Sequence, residues 1–287
     1  MLQPLAGVRI LSLALNLPGP AALARCRSMG AECTKLEPLA RPGQPSADPL
    51  GIYCPNAYAQ LHAGIRVLQA DLKTPAGQQT LQAELARMDV LLTSFRPTAL
   101  AKLGLTWEAL QARFPRLSLV RIVGSADADQ PGHDLTYQAQ AGLLPGTEMP
   151  ATLFADMGGA LLASEAVLQV MLARAHNGQG QRLDIALADA AQWLALPRHW
   201  GLTLPAGNVG GAHAGYRIYP CQDGRVALAA LEPHFAAALF ALLALPPDTD
   251  PHAPHTHAAL ALWLQSKTRD DLNALAQQHD IPLWTMG

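Results

Sequence analysis

Three ionisable side chains stand out by the company they keep. Asp156 lies in "ATLFADMGGALLASEAVL", a carboxylate in an otherwise apolar run followed at once by two glycines. Burying a charge is costly unless it is paired, or unless its altered basicity is what the site uses. One reading makes Asp156 a helix N-cap, where a carboxylate gains about 0.3–1 kcal/mol from the helix dipole. The other rests on Gly158 and Gly159, which leave the first helical turn bare. A ligand could then reach both the acid and free backbone N–H groups, the donors an oxyanion requires. His133, in "PGHDLTYQAQAG", follows a Pro-Gly turn where active-site loops belong; Glu232, in "ALEPHF", ends an apolar strand before a proline that starts a helix. Each also has an ordinary structural reading, as a lone histidine and as a helix-entry residue.

Other constellations say less. His252, His255 and His257 fall in a Pro-rich loop with no Cys or acid at ligand spacing, which reads as a solvated loop rather than a metal site. No GxSxG elbow, Walker loop or GxGxxG stands after a strand. Cys26, Cys33, Cys54 and Cys221 form no C-x-x-C pair and fit free thiols in a reducing cytosol. A net charge of −2 argues against nucleic acid, yet residues 1–125 hold 13 Lys/Arg against 7 Asp/Glu while the remainder is acidic. A basic first half suits an anionic small ligand, beside the plainer reading of uneven surface charge. No apolar run reaches the roughly 20 residues of a bilayer span, so no membrane association is expected. The signal-like start "GVRILSLALNLPGPAALA" is broken by Pro18-Gly19-Pro20, which reads as a first strand and its loop.

Such side chains need elements to place them. Strands are predicted over residues 8–13, 31–37, 89–95 and 117–124, alternating with helices over 20–30, 74–88 and the stretch between "TALAKLGL" and "LQARF". Strand and helix alternating at this spacing imply βαβ units and a parallel sheet, with ligands at the carboxyl ends of the strands. A long helix is predicted over about 158–175, then a strand and helix in "RLDIALADAAQWLAL". The expected organisation is a Rossmann-like α/β large domain over 1–203, a Pro/Gly-rich linker over 204–215 and a smaller α+β domain over 216–287. The last opens with a hairpin turning at Asp223-Gly224 and is otherwise helical.

The blocks "PLAGVRILSLALNLPGPAALARCRSMGAECTKLEP", "ADLKTPAGQ", "DVLLTSFRPTALAKLGL", "NGQGQRLDIALADA" and "YRIYPCQDGRVALAALEPHF" together resemble the family III CoA-transferases (the CaiB/BaiF family), and within it the alpha-methylacyl-CoA racemase branch. The resemblance implies an acyl-CoA thioester as substrate, with coenzyme A entering as part of it and no prosthetic group. It further implies a cytoplasmic homodimer of the interlocked ring type. Asp156 falls on the catalytic aspartate, which attacks the thioester in transferases. His133 and Glu232 fall on the histidine and glutamate that join it in racemases. Arg96 falls on an arginine near CoA, and Arg66, Lys35, Tyr137, Gly158 and Gly159 are the other positions expected to contact it. Departures are visible: "PGHD" replaces a common "PGYD", Ala155 replaces a glycine, and "GSADADQPG" stands for a longer Gly-rich loop. "LHAGIRVLQADLK" stands for an "N-x-x-K-R" type segment. The chain stops at "DIPLWTMG", where relatives continue with a segment that returns to the large domain; the ring could be open here, and a dimer remains the expectation.

By that resemblance, inversion of the carbon beside the thioester needs a base on one face and an acid on the other. Asp156 and His133 could exchange those roles if a shared dry pocket raises one pKa and lowers the other, with Glu232 setting the His133 tautomer. Two other readings stand beside it. One is CoA transfer through an Asp156 acyl anhydride; the other is a CoA-binding homologue without turnover.

Overall fold

The computed structural model describes residues 2–44, 46–126 and 131–287, so residues 127–130 of the "GSADADQPG" segment lie outside the described residues. The chain divides into two compact units, Met1–Ala195 and Leu196–Gly287.

The first unit runs β1 (Arg9–Ser12), α1 (Pro18–Ser28), β2 (Glu32–Glu37), α2 (Pro49–Tyr53), α3 (Pro55–Leu61) and β3 (Arg66–Gln69). It continues with α4 (Pro75–Leu85), β4 (Val90–Thr93), α5 (Pro97–Lys102), α6 (Trp107–Arg113), β5 (Ser118–Val123), α7 (Asp134–Gln140), α8 (Phe154–Asn177), β6 (Arg182–Ala186) and α9 (Leu187–Leu194). Prolines at the first turn open α1, α2, α3, α4 and α5. They are favoured there because an N–H that would have no helical partner is the one proline lacks. Asp48, Thr74 and Thr106 cap the next free donors of α2, α4 and α6 with their side chains.

All six strands pair in parallel in the order β3-β2-β1-β4-β5-β6. The chain reverses direction of travel across the sheet between β1 and β4, so the loops after these strands splay apart and leave a crevice. Alternate side chains of the central strands face opposite helical layers. Ile10, Val90, Leu92, Val120 and Ile122 pack with α1 and α8, while Leu11, Leu91 and Leu119 pack with α4, α5 and α6. α8 is long and apolar enough to cross a bilayer, but half of its apolar window is buried in the protein, where Ala160, Ala163, Val167 and Val170 join the core.

Strand β3 was not anticipated. It is an edge strand with three of its four residues exposed, so it lacks the apolar signature of its neighbours. Helix α8 begins at Phe154, four residues ahead of the expected start, which moves Asp156 from the N-cap to the third helical position.

The second unit begins with α10 (Leu196–His199) and holds an antiparallel sheet, β7 (Tyr216–Cys221), β8 (Gly224–Ala229) and β9 (Leu283–Met286), with α11 (Pro233–Leu242), α12 (Pro254–Gln265) and α13 (Arg269–His279). Cys221 pairs with Gly224, so the hairpin turns on Gln222-Asp223, one residue earlier than expected. The final segment is a third strand beside β8 rather than helix. Tyr219, Val226, Leu228, Phe240, Leu260 and Leu272 form this unit's core.

Candidate active site

Asp156, Tyr137, Arg96 and Tyr53 come close enough to act on one another electrostatically, with Arg96 and Tyr137 in a cleft at the carboxyl ends of β4 and β5. Arg96 is the N-cap of α5, directly after β4. The loop leaving β1 is bound to the β4 loop through the Leu15 N–H and Ser94 Oγ, 3.4 Å apart. Asn16 in that loop is left-handed, with φ 69°. Its N–H donates to Asp48 Oδ1 at 2.9 Å, and its own Oδ1 accepts from the Tyr53 hydroxyl.

Asp156 is held in position by its direct neighbour, Asp134. The buried Asp134 carboxylate, at the start of α7, accepts the Asp156 N–H at 3.0 Å and so caps α8 from outside that helix. Its second oxygen accepts from Gln138, whose amide also reaches the Thr152 carbonyl. Two carboxyl groups held this way repel each other when both are ionised. Burial, then the Asp134 charge, push the Asp156 carboxyl up to about 6, against an opposing pull from His133. One of the first-turn donors assigned to an oxyanion is therefore already occupied. Asp134 was passed over in the sequence, where it read only as part of "PGHD"; the signal available was its adjacency to His133.

Tyr137 is 5% exposed. Its hydroxyl lies over Gly124 and Gly132, where any Cβ would come within 2.2 and 2.4 Å of it. Burial raises its phenol pKa, the Asp156 charge raises it further, and Arg96 lowers it, so the three groups share one electrostatic field. A cleft of about 100 Å³ opens there, lined by Ser94, Phe95, Arg96, Gly124, Gly132 and Tyr137. The exposed Tyr53 also feels the Asp156 charge, behind burial and Asp48 among the influences that raise its pKa.

Several expected positions do other work. His133 is the N-cap of α7, and its imidazole is exposed rather than enclosed in a dry pocket; its N–H donates to Thr136 Oγ1 at 3.1 Å. Glu232 lies in the second unit, exposed at the N-cap of α11, with its carbonyl accepting the Ala236 N–H at 2.9 Å. Gly158 and Gly159 are buried against α9 instead of facing a ligand. A Cβ on Gly158 would lie 3.0 Å from Leu194 Cδ1, and one on Gly159 only 2.2 Å from Leu187 Cδ2. These glycines let two helices approach closely.

Lys35 presents no ammonium to solvent. Its fully buried Nζ contacts Asp48, lies 3.4 Å from Glu37 and 3.1 Å from His62 Nε2. Arg66, on edge strand β3, pairs with Glu84 and donates to Thr34 Oγ1 at 3.3 Å. Its side chain is 46% exposed, so Arg66→Ala is expected to cost under about 1 kcal/mol, readable as a small shift in thermal midpoint. Among the described residues no cluster of three or more His, Cys, Asp or Glu could hold a metal ion. His252 bonds Asp250 and Asn208, and His257 bonds the Ala212 carbonyl.

Comparison with known proteins draws the two units into one assignment. Residues 5–286 match the family described as CoA-transferase family III. The chain is 28% identical over 252 residues to succinate–glutarate CoA-transferase of Agrobacterium fabrum, covering 79% of this chain and 63% of that protein. It is 30% identical over 270 residues to human alpha-methylacyl-CoA racemase, covering 86% of this chain and 67% of that protein. It thus spans about two-thirds of the length of these relatives. A crystal structure of a hypothetical protein from Mycobacterium tuberculosis superposes with a TM-score of 0.82 at 24% identity, covering 98% of this chain and 84% of the other, which speaks to the fold. A sequence match that begins in the loop before β1 and ends in β9 leaves no element of either unit outside it, and the chain belongs to the family III CoA-transferases.

Proposed function

We propose that this protein acts on acyl-CoA thioesters and inverts the α-carbon of a 2-methylacyl-CoA by proton transfer. The observation that carries the reading is the Asp156 carboxyl, pushed up to about 6 by burial and by Asp134. A carboxyl near 6 is mostly ionised at neutral pH yet basic enough to accept a carbon-bound proton and give it back. In the forward step the Asp156 carboxylate takes the C2 proton and the electron pair moves into the thioester as an enolate. The protonated His133 imidazole then delivers a proton to the opposite face of C2. Both groups regain their starting states by exchange with water. Coenzyme A enters as part of the substrate, and no prosthetic group takes part. The chain acts as a homodimer in this reading, which sedimentation analysis would check.

The exposure of His133 favours a second reading. Here the Asp156 carboxylate attacks the thioester carbonyl and the CoA thiolate leaves, giving an aspartyl acyl anhydride; the thiolate then attacks the aspartyl carbonyl and releases the donor acid, and a second carboxylic acid takes CoA from the aspartyl thioester by the same steps in reverse. That chemistry has no use for the imidazole.

Incubation with a 2-methylacyl-CoA in heavy water separates the two. Proton transfer predicts deuterium at C2, lost in both Asp156→Asn and His133→Ala. Hydroxylamine trapping of an acyl group on Asp156 and acyl exchange to a free acid, both surviving His133→Ala and without deuterium at C2, replace inversion by transfer. CoA-dependent thermal stabilisation without exchange or trapping leaves a binding protein.

A further inference from the structure

A second cleft of about 250 Å³ opens in the first unit, on the α5–α6 side of the sheet, lined in part by Leu100, Leu105, Leu119, Trp107, Arg121 and Arg182. Its lining is as polar as it is apolar, with Glu108, Arg121 and Arg182 as its charged residues. Arg121 and Asp184 are direct cross-strand partners on β5 and β6. Arg121 is 10% exposed and grips Asp184 through Nε, at 2.7 Å, and Nη2. Arg182 grips the same carboxylate through Nε at 3.2 Å and Nη2 at 2.7 Å. Burial alone would raise the Asp184 carboxyl, but the hydrogen bonds from Arg121 and Arg182 hold it at about 2. One carboxylate therefore serves two guanidinium groups, and the Nη1 of each stays outside the shared fork. Arg121 already pairs with Asp184 across the strands, and the exposed Arg182 adds a second guanidinium to a carboxylate that is itself exposed.

We propose that this cleft binds a small apolar monocarboxylate, its carboxylate received by Arg121 and Arg182 and its hydrocarbon body lying against Pro97 and Trp107. Guanidinium groups present donors in a planar array that matches a carboxylate. Exposed Glu108 lies close enough to raise the pKa of Arg182, after the Asp184 hydrogen bond and against desolvation. Two acids then balance two arginines. A cleft with no net charge favours one directional carboxylate over a phosphate or another polyanion. The size suits a six-carbon body, since an apolar cavity of about 150 Å³ already takes benzene. The cleft belongs to none of the residues placed around Asp156, although Pro97 lines it and follows Arg96 in the chain.

The test titrates the full-length protein with sodium hexanoate at constant ionic strength, by calorimetry and by tryptophan fluorescence. Saturable binding is expected, with a fluorescence change absent in Trp107→Phe, at least tenfold weaker affinity in Arg182→Gln, and unaltered affinity in Asp156→Asn. Hexanamide, isosteric but uncharged, is expected to bind at least tenfold more weakly than hexanoate to the unaltered protein, a comparison that needs no folded variant. Inorganic phosphate is expected not to compete. The proposal is overturned if hexanoate shows no saturable binding, if hexanamide binds equally well, or if Arg182→Gln leaves affinity intact. Loss of binding in Asp156→Asn alone would assign the acid to the other cleft, and would overturn it too. No outcome depends on the reaction proposed for Asp156.

Discussion

Asp156→Asn is expected to remove C2 proton exchange, by roughly 10²–10⁴ or to the limit of detection, while making the fold more stable at pH 7.5. The two effects share one cause. Burial and the Asp134 charge raise the folded-state carboxyl from 3.8 to about 6, so the ionised form that the proposed proton abstraction needs is the form the fold disfavours. Below pH 3.8 the group is protonated in both folded and unfolded chains. As pH rises through about 6 the folded protein must ionise a group the unfolded chain has already ionised, and that share of stability is lost. At about 1.4 kcal/mol per unit, the cost at neutral pH has an upper end near 3 kcal/mol. The amide removes it. Urea midpoints at pH 7.5 should therefore rise in Asp156→Asn relative to the parent, and the gap should close toward pH 4. Exchange catalysed by the parent should climb with pH through about 6, as the base becomes ionised. A variant that is inactive but no more stable at pH 7.5 would show the carboxyl to be comfortable in its site, and its basicity untuned.

The largest stability effect is expected from Lys35→Met, at about 3–5 kcal/mol of destabilisation. The Lys35 ammonium and the side chains of Asp48 and Glu37 are all fully buried. Methionine fills similar volume and removes the cation, leaving two carboxylates in a low dielectric with no counter-ion. Each keeps some partners. Glu37 accepts from Ser46 at 2.8 Å, Tyr58 at 3.1 Å and Gln69 at 3.2 Å, while Asp48 accepts from the backbone of Asn16 and Leu50. Hydrogen bonds of this kind soften the isolated charges but cannot balance them. His62 is no substitute cation. Its Nδ1–H donates to the Tyr58 carbonyl at 2.7 Å, leaving Nε2 to accept from Lys35, and burial, the largest of the causes that lower its pKa, persists when the Lys35 charge is removed. Denaturant unfolding of Lys35→Met should show the loss, and adding Glu37→Gln should recover part of it by removing one orphaned charge. A Lys35→Met protein of parental stability with weakened CoA affinity would instead return Lys35 to the CoA contact that the family resemblance implied.

Much of this molecule was legible in its sequence because period and punctuation are local properties. The apolar runs of β1, β4 and β5 have neighbours on both faces of a parallel sheet, and such strands read as continuous hydrophobic stretches. Prolines at helix starts and the glycine that ends α8, left-handed at φ 74°, mark boundaries by backbone sterics alone. Edge strand β3 and the closing strand β9 carry no such mark. Their pairing is decided by a distant neighbour, and their exposed residues need not be apolar. The same division runs through the candidate site. Asp156 could be chosen from its apolar setting and its twin glycines, although the glycines turned out to admit a helix rather than a ligand.

By itself, then, the order of residues determined the class of fold, the strands that form its centre and the apolar setting of Asp156, since each follows from side-chain periodicity or from a charge placed among apolar neighbours. Only the tertiary structure decided which charges meet. It set Asp134 against Asp156, buried Lys35 between two acids and gave Asp184 to two arginines. Coulomb energy depends on separation and local dielectric, and neither can be read from distance along a chain.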